Sequence, residues 1–256
     1  MATLGFQRTK GLCPALGDLY AIFAATKEAA YTCREFAIEG GRQEMDKPSY
    51  FFDDVNHLYW EDGVFLPSCT QILKLQGLVD FSMVKPEVLA AKSILGTEVH
   101  SLTESFDLHG EIDPSWLNEQ NEGYYNAWLK FRGESGFEPI REYVEWQSVG
   151  VIHGFRFGVK IDRLGIFNGV KTICELKCSD TIQPSWPFQL AGQEMCLTGR
   201  PRCGELKRIT CRLRKNGTYR IQEYTDHQWD AQMFTSALIN VHGRLRQGQK
   251  LWQMLV

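Results

Sequence analysis

The sequence predicts a mixed α/β fold, in which a mixed central β-sheet is flanked by helices and carries β-hairpin additions. Predicted strands and helices alternate from about residue 45 onward. Two of the predicted strand pairs turn at Asn-Gly dipeptides, which favour two-residue hairpin loops. With 256 residues, 43% of them hydrophobic and 23% charged, the chain has the composition of an ordinary globular domain.

Two segments are expected. Residues 1–44 form an appendage of uncertain role, in which residues 16–36 could make an alanine-rich helix, and residues 45–256 form the main domain. The formal net charge is −3, so any nucleic-acid surface must be a local patch. No apolar run approaches the ~20 residues of a membrane span, and the amino terminus lacks a signal-peptide layout, so no membrane partner is expected.

The eight cysteines indicate a reducing compartment. They are scattered without a regular disulfide framework and lack the close pairs that are typical of structural zinc sites. The last three are too widely spaced for an iron–sulfur set. We therefore expect free thiols that pack as small hydrophobic side chains, and no structural metal.

The predicted elements follow in chain order. Before residue 155 the sequence predicts a strand–turn–strand unit over 49–66, helices over 69–75, 86–108 and 116–136, a strand over 140–148 and a loop over 149–154. After it come a central hairpin over 158–179, a helix that begins near residue 185, a hairpin over 206–224 and a helix over 226–245.

The central hairpin concentrates charge on one face. With residues 168–169 as the loop, facing residue numbers sum to 337, so Asp162 faces Glu175 and Lys160 faces Lys177. The apolar side chains at 159, 161, 174 and 176 are expected on the opposite face. Like charges that face each other destabilise a strand pair, so two facing carboxylates indicate a site rather than a folding requirement.

This arrangement suits metal-assisted phosphodiester hydrolysis. Mg²⁺ or Mn²⁺ takes carboxylate oxygens as ligands, and a lysine beside one ligand, here Lys177, can orient and help deprotonate an attacking water. The alternative is a surface hairpin whose charges, including Asp162–Arg163 and Glu175–Lys177, are ordinary solvated pairs.

Three further features could belong to such a site. On the helix over 86–108, His100 and Glu104 are neighbours one turn apart, and Gly96 precedes them by a turn; an ordinary surface pair is the alternative. Gln189 and Gln193 are likewise one turn apart on the next helix. Residues 200–220 hold eight basic side chains against one acid, which indicates either a solvated hairpin face or phosphate binding.

Five motifs in order resemble the PD-(D/E)XK nuclease superfamily, specifically its RecB-like exonuclease branch. They are LPSCTQIL at 66–73, GTEVH at 96–100 with Glu104, GVKID at 158–162, ELK followed by CS at 175–179, and QLAGQ at 189–193. The layout is similar to phage exonucleases of that branch and to the mitochondrial genome maintenance exonuclease. One departure is that the tyrosine of the last motif is Gln193 here.

The resemblance implies a restriction-endonuclease-like core and a set of site residues. Metal ligands would be Asp162, Glu175, the Leu176 carbonyl and His100; Lys177 would be the catalytic lysine, acting with Asp162, Glu175 and Gln189. DNA contacts are expected from Gln189, Gln193, Arg208, Arg212, Arg214 and Lys215.

The sequence thus predicts a Mg²⁺- or Mn²⁺-dependent DNA exonuclease that acts on single- or double-stranded DNA ends in replication, repair or recombination. The expected compartment is the cytoplasm of a bacterial or phage-infected cell, and a single-strand-binding or annealing protein is a further partner class. Three alternatives stay open: an endonuclease directed by sequence or structure, an inactive DNA-binding or assembly module of the same fold, and a protein unrelated to nucleic acid.

Overall fold

The computed structural model describes residues 50–53, 58–179 and 181–255. The predicted appendage 1–44 and its helix lie outside the described residues and stay predictions. No helix in the described part of the chain is both long and apolar enough to cross a membrane.

A small antiparallel sheet and a short helix open the described domain. Strands β1 (Tyr50–Asp53), β2 (Leu58–Glu61) and β3 (Val64–Leu66) pair in that order, and Asp62 and Gly63 form the predicted turn with positive φ angles. Helix α1 (Cys69–Leu75) begins with a capping box: Ser68 Oγ accepts from the Gln71 amide, and Gln71 Oε1 accepts from the Ser68 amide. A bridge from Ser68 to Gly158 joins this segment to the main sheet.

Two helices follow. Helix α2 (Pro86–His109) begins at a proline, which has no amide hydrogen to leave unpaired in the first turn, and ends at Gly110 in the left-handed conformation. After a 3₁₀ turn (Pro114–Trp116), helix α3 (Glu122–Ser135) begins later than the predicted residue 116. The reason is a polar turn, in which the side chains of Asn118 and Asn121 accept backbone N–H groups that a helix would otherwise use.

The main sheet has five strands, in the order β4 (Glu138–Ile152), β5 (Phe155–Phe167), β6 (Val170–Lys177), β7 (Lys207–Leu213) and β8 (Tyr219–Glu223). Neighbours are antiparallel except β6 and β7, which are parallel and joined through helix α4 (Trp186–Thr198). The predicted loop over 149–154 is wrong, because the β4–β5 ladder continues to Ile152 and only His153 and Gly154 turn.

Helices cover both faces of this sheet. Val99 of α2 and Trp128 and Phe131 of α3 pack on one face, against a cluster that includes Cys174 and Leu176. The other cluster includes Ile72 of α1, Leu190 of α4 and Phe234 of helix α5 (His227–Arg246). The prediction of a mixed sheet flanked by helices is confirmed.

The central hairpin has the predicted turn and register. Asn168 and Gly169 both have positive φ (51° and 77°), and all five pairs from Phe167–Val170 to Arg163–Cys174 keep the predicted register. The ladder ends there, because β6 continues along β7 while β5 continues along β4. The predicted register pairs Asp162–Glu175 and Lys160–Lys177 are therefore wrong. Lys160 pairs with Gln147, Glu175 with Thr210 and Lys177 with Arg212.

The common apolar face predicted for residues 159, 161, 174 and 176 is also incorrect. Val159 and Ile161 belong to the cluster under α4 and α5, whereas Cys174 and Leu176 belong to the cluster under α2 and α3. Strands β5 and β6 are no longer paired beyond Arg163–Cys174. The alternation of side chains along β5 therefore does not predict which side chains of β6 share its face.

Candidate active site and metal centre

The predicted acids and lysine converge where the β5–β6 ladder ends. Asp162 Oδ2 accepts a 2.7 Å hydrogen bond from the Leu176 amide, which ties the end of one strand to the other. Lys177 Nζ lies 2.9 Å from Glu175 Oε1. Both carboxylates are buried, with 5% of the surface of each residue exposed. The structure thus brings together the three side chains that the sequence singled out.

The charge state of Asp162 reflects this crowding. Burial raises the pKa of Asp162, the nearby charge of Glu175 raises it further, and the result is a value of about 6. Two carboxylates this close cannot both stay ionised cheaply without a cation between them. The site therefore favours the binding of positive charge.

His100 of α2 also lies next to Asp162. Its Nδ1 lies 3.5 Å from Asp162 Oδ1 and 2.9 Å from Glu145 Oε1. Burial disfavours the imidazolium, but the two carboxylates outweigh it and raise the pKa of His100. The surface alternative for this histidine is therefore wrong, since the side chain points at the acidic site.

Glu145 is a site residue that the sequence analysis missed. It lies on β4 next to an irregularity in the β4–β5 ladder, and it is a non-glycine residue with a φ of 49°, a conformation that costs free energy and concentrates at functional sites. Its carboxylate contacts His100 through one oxygen and Lys160, at 2.8 Å, through the other. Despite burial, these cations hold the pKa of Glu145 well below its usual range.

These residues fit a divalent cation. His100, Glu145 and Asp162 each offer one ligand atom, and the three atoms lie within 4.8 Å of one another. Carboxylate oxygens suit Mg²⁺ and Mn²⁺, and an imidazole nitrogen is a common ligand of the transition metals. The structure thus brings two of the predicted ligands, His100 and Asp162, into one group and adds Glu145.

Glu175 is not one of these three residues, and two glutamine side chains hold its carboxylate. Gln189 Nε2 donates to Glu175 Oε1 at 2.5 Å, and Gln193 Nε2 donates to Glu175 Oε2 at 2.8 Å. Gln189 Oε1 in turn accepts a 3.2 Å hydrogen bond from Lys177 Nζ. Metal ligation by Glu175 and by the Leu176 carbonyl stays a prediction.

Gln193 is a buried residue that holds the Glu175 carboxylate in place. It has no exposed surface, and its Nε2 also donates to the Lys160 carbonyl at 2.9 Å. A fully buried side chain cannot contact DNA in this conformation, so the predicted DNA contact of Gln193 is replaced by a role in holding Glu175. Gln189 is half-buried near the start of α4, and its contact with DNA stays a prediction.

A buried guanidinium ties the site to the helices. Arg163, which is 0% exposed, donates to Glu145 at 2.8 Å, to Asp107 at 2.6 Å and to the Asp162 carbonyl at 2.6 Å. It also donates to Thr103, whose hydroxyl donates to the His100 carbonyl. The solvated Asp162–Arg163 pair considered from the sequence is therefore ruled out.

The basic residues of 200–220 do not form one surface. Arg208 is fully buried, with its guanidinium 3.2 Å from Glu194 and 3.0 Å from Asp230, so its predicted DNA contact is contradicted by its burial. The reason is that α4 and α5 cover this part of β7, and their acids neutralise the charge. Arg200 and Arg202 pair with Glu205, and Lys207 pairs with Glu223, at the surface.

The other three predicted DNA contacts lie farther along the same hairpin. Arg212 pairs with Lys177 in the β6–β7 register and is largely buried, and Arg214 is half-buried just after β7. Lys215 is exposed in the β7–β8 turn, where its Nζ donates to Gln120 Oε1 at 3.0 Å. Of these three residues, only Arg212 is thereby placed beside Lys177.

The fold and the site define the chain as a mixed α/β protein with a buried acid–histidine–lysine centre. The sequence matches no protein-family model and no curated protein. Among solved structures, the chain is similar to a crystal structure named "Putative exonuclease" from Eubacterium rectale, with 16% identity, a TM-score of 0.42, and coverage of 72% of this chain and 74% of that one.

A second similar crystal structure is that of a protein named SSO0001. It is 17% identical, with a TM-score of 0.35, and the match covers 67% of this chain and 74% of that one. At these identities and TM-scores neither structure carries an argument about activity.

Proposed function

We propose that the protein is a divalent-metal-dependent deoxyribonuclease that hydrolyses phosphodiester bonds from DNA ends. The observation that carries the proposal is the convergence of Asp162, Glu175 and Lys177 at the end of the β5–β6 ladder, with His100 and Glu145 beside them. A bound divalent cation would supply Lewis-acid stabilisation of the phosphate and a more acidic water.

The chain's own residues supply the rest. Asp162, His100 and Glu145 would hold the cation, with Glu175 as a further ligand. Lys177, paired with Glu175 at 2.9 Å, places a positive charge where the attacking water and the phosphate would lie. Gln189, which contacts both side chains, fixes their relative orientation and faces the substrate strand.

End-labelled DNA provides the test. We expect labelled linear DNA to be degraded in Mg²⁺ or Mn²⁺ but not in EDTA, and Asp162→Ala, Glu175→Ala and Lys177→Ala each to abolish cleavage while circular dichroism shows a folded protein. Lys171→Ala is the matched control, because Lys171 is an exposed lysine near the opposite end of β6. Full activity in Lys177→Ala would show that the mechanism is wrong.

The same assay separates the alternatives. Cleavage of covalently closed circular DNA would assign an endonuclease, because an exonuclease needs an end. Metal-independent DNA binding without any cleavage would assign an inactive binding module. A protein unrelated to nucleic acid would neither cut nor bind DNA in a salt-dependent way.

A further inference from the structure

Two carboxylates of the site have cationic partners within the chain itself. Lys177 Nζ lies 2.9 Å from Glu175 Oε1, and Lys160 Nζ lies 2.8 Å from Glu145 Oε2. The guanidinium of Arg163 contacts the other oxygen of Glu145, also at 2.8 Å. The negative charge of the site is therefore partly balanced by the protein, and a divalent cation that binds there competes with these groups.

Lys160 differs from the other two cations in its access to water. The side chain of Arg163 is 0% exposed and is shared with the buried carboxylate of Asp107, and that of Lys177 is 19% exposed. The side chain of Lys160 is 39% exposed. A lysine ammonium on its flexible four-carbon stem can turn into water and stay hydrated. Of these three cations, Lys160 is therefore the one that can leave its partner at the lowest cost.

The position of Lys160 links it to the group that could hold a metal ion. It precedes Asp162 by two residues on β5, so the two side chains project from the same face of the strand. Burial disfavours the charged ammonium, but the carboxylates of Glu145, Asp162 and Glu104 outweigh it and raise the pKa of Lys160. A divalent cation held by Glu145 and Asp162 would repel this ammonium, because like charges repel strongly where water is scarce.

We propose that Lys160 is an exchangeable counter-ion of the metal centre. It neutralises Glu145 in the absence of metal, and when a divalent cation binds, its ammonium moves to a phosphate of the DNA that enters the site. This inference rests on the proposed function. Lys160 would then give the metal and the DNA a positive coupling, in which each strengthens the binding of the other by the same factor.

Metal affinity without DNA gives the first test. Titration calorimetry should show that Lys160→Met binds Mn²⁺ about fivefold or more tightly than the wild-type protein, because the competing ammonium is gone. Lys160→Arg keeps a cation and should not show this gain. Lys130→Met is the matched control, because Lys130 pairs with Glu134 on the exposed surface of α3. Equal or weaker Mn²⁺ binding by Lys160→Met would overturn the proposal.

The movement of Lys160 can be measured in the wild-type protein. Amine acetylation by a water-soluble succinimidyl ester, read by peptide mass spectrometry, should label Lys160 several-fold faster in Mn²⁺ than in EDTA. The rate at Lys130 should stay the same. A purely structural lysine would keep its partner and its labelling rate, and that result would contradict the exchange. This measurement carries the test if circular dichroism shows that Lys160→Met does not fold.

DNA binding tests the second half of the exchange. Anisotropy of a fluorescent single-stranded oligonucleotide is measured in Mn²⁺ and in EDTA, with Lys177→Ala in every protein so that the DNA stays intact. Mn²⁺ should tighten DNA binding, and Lys160→Met should reduce this gain by about fivefold or more.

The two proposals can fail separately. If Lys177-dependent cleavage is present, but Lys160→Met changes neither the Mn²⁺ affinity nor the gain in DNA binding, the counter-ion role is wrong and the nuclease proposal stands. If the wild-type protein binds Mn²⁺ through Asp162 but neither binds nor cuts DNA, the nuclease proposal fails, and the transfer of Lys160 to a phosphate fails with it.

Discussion

The Leu176 amide donates a 2.7 Å hydrogen bond to Asp162 Oδ2, where the backbone ladder between their strands has already ended. This bond fixes one oxygen of the carboxylate, while the other lies 3.5 Å from His100 Nδ1. Asp162 thus joins the two strands and the helix at the point where a cation would bind.

Asp162→Asn should therefore remove metal binding without removing this hydrogen bond, because the amide oxygen can still accept it. A ligand that binds only the folded state stabilises it by about 2.7 kcal/mol at a hundredfold excess over Kd. We expect Mn²⁺ to raise the Tm of the wild-type protein, EDTA to reverse the rise, and Asp162→Asn to show none. Exposed Asp113→Asn is the control. An equal rise in both variants would place the metal elsewhere.

Much of this site follows from the sequence because local rules govern it. The Asn168-Gly169 turn sets the register that carries Asp162 toward residues 175–177, and the helical spacing of α2 presents His100. Glu145 could not be predicted, since its direction depends on a ladder irregularity and a left-handed backbone, and nothing in the local sequence marks either.

Arg208 shows the other limit of sequence reasoning. Its position in the sequence predicts that it belongs to a basic surface. In the structure, Glu194 and Asp230 neutralise its charge from two helices that only the tertiary fold brings together. Arg163 is similar, because its partner Asp107 lies 56 residues away. Contacts between residues far apart in the sequence decide which basic residues are buried. The number of basic residues in a segment does not predict this.

Glu145→Gln should weaken metal binding while retaining the shape of the side chain. Loss of an outer-shell partner typically costs about 10–100-fold in metal affinity, and loss of a direct ligand should cost at least as much. Titration calorimetry with Mn²⁺ measures the change. Glu142→Gln, an exposed residue of the same strand, should bind like the wild-type protein. Unchanged affinity in Glu145→Gln would remove this residue from the metal centre.

Arg163→Met should destabilise the fold strongly, because it leaves the buried carboxylates of Asp107 and Glu145 without their shared cation. Removing one partner of a buried pair costs about 3–5 kcal/mol. Arg156 is a matched control on the same strand: it pairs with Glu61 at the surface, where such pairs contribute about 0–1 kcal/mol. Urea denaturation of Arg163→Met and Arg156→Met compares them, and equal losses would contradict the buried network.

The thiols of Cys178 and Cys196 should react slowly in the folded protein. Burial raises the pKa of Cys178 and of Cys196 to about 12, against an ordinary value of 9.0, which leaves about a thousandfold less thiolate at pH 8. Peptide mass spectrometry after alkylation with iodoacetamide should show slow labelling of both cysteines, faster as the pH rises, and rapid labelling in guanidinium. Labelling at the denatured rate would show that these thiols are exposed.

Two helical glycines should respond in opposite directions to alanine. A methyl group at Gly192 of α4 would lie 2.6 Å from the Phe234 ring and 2.8 Å from Cys69 Sγ, so the closely packed helices must move apart. Such overpacking typically costs about 1–3 kcal/mol. At Gly96 of α2 nothing lies within 4 Å of the added methyl group, so the packing reason that a mid-helix glycine usually indicates is absent at this position.

Gly96→Ala should therefore stabilise the protein by about 0.5–1 kcal/mol, the helix-propensity difference between the two residues. Urea midpoints of the two variants, measured against the wild-type protein with equal m-values, give both signs in one experiment. A loss of stability in Gly96→Ala would mean that this stretch of α2 packs against something in solution. In Gly192→Ala, by contrast, a loss of stability is the expected result. Helix α4 carries the two glutamines that hold Glu175, and its close packing against α5 and α1 sets the position of those glutamines.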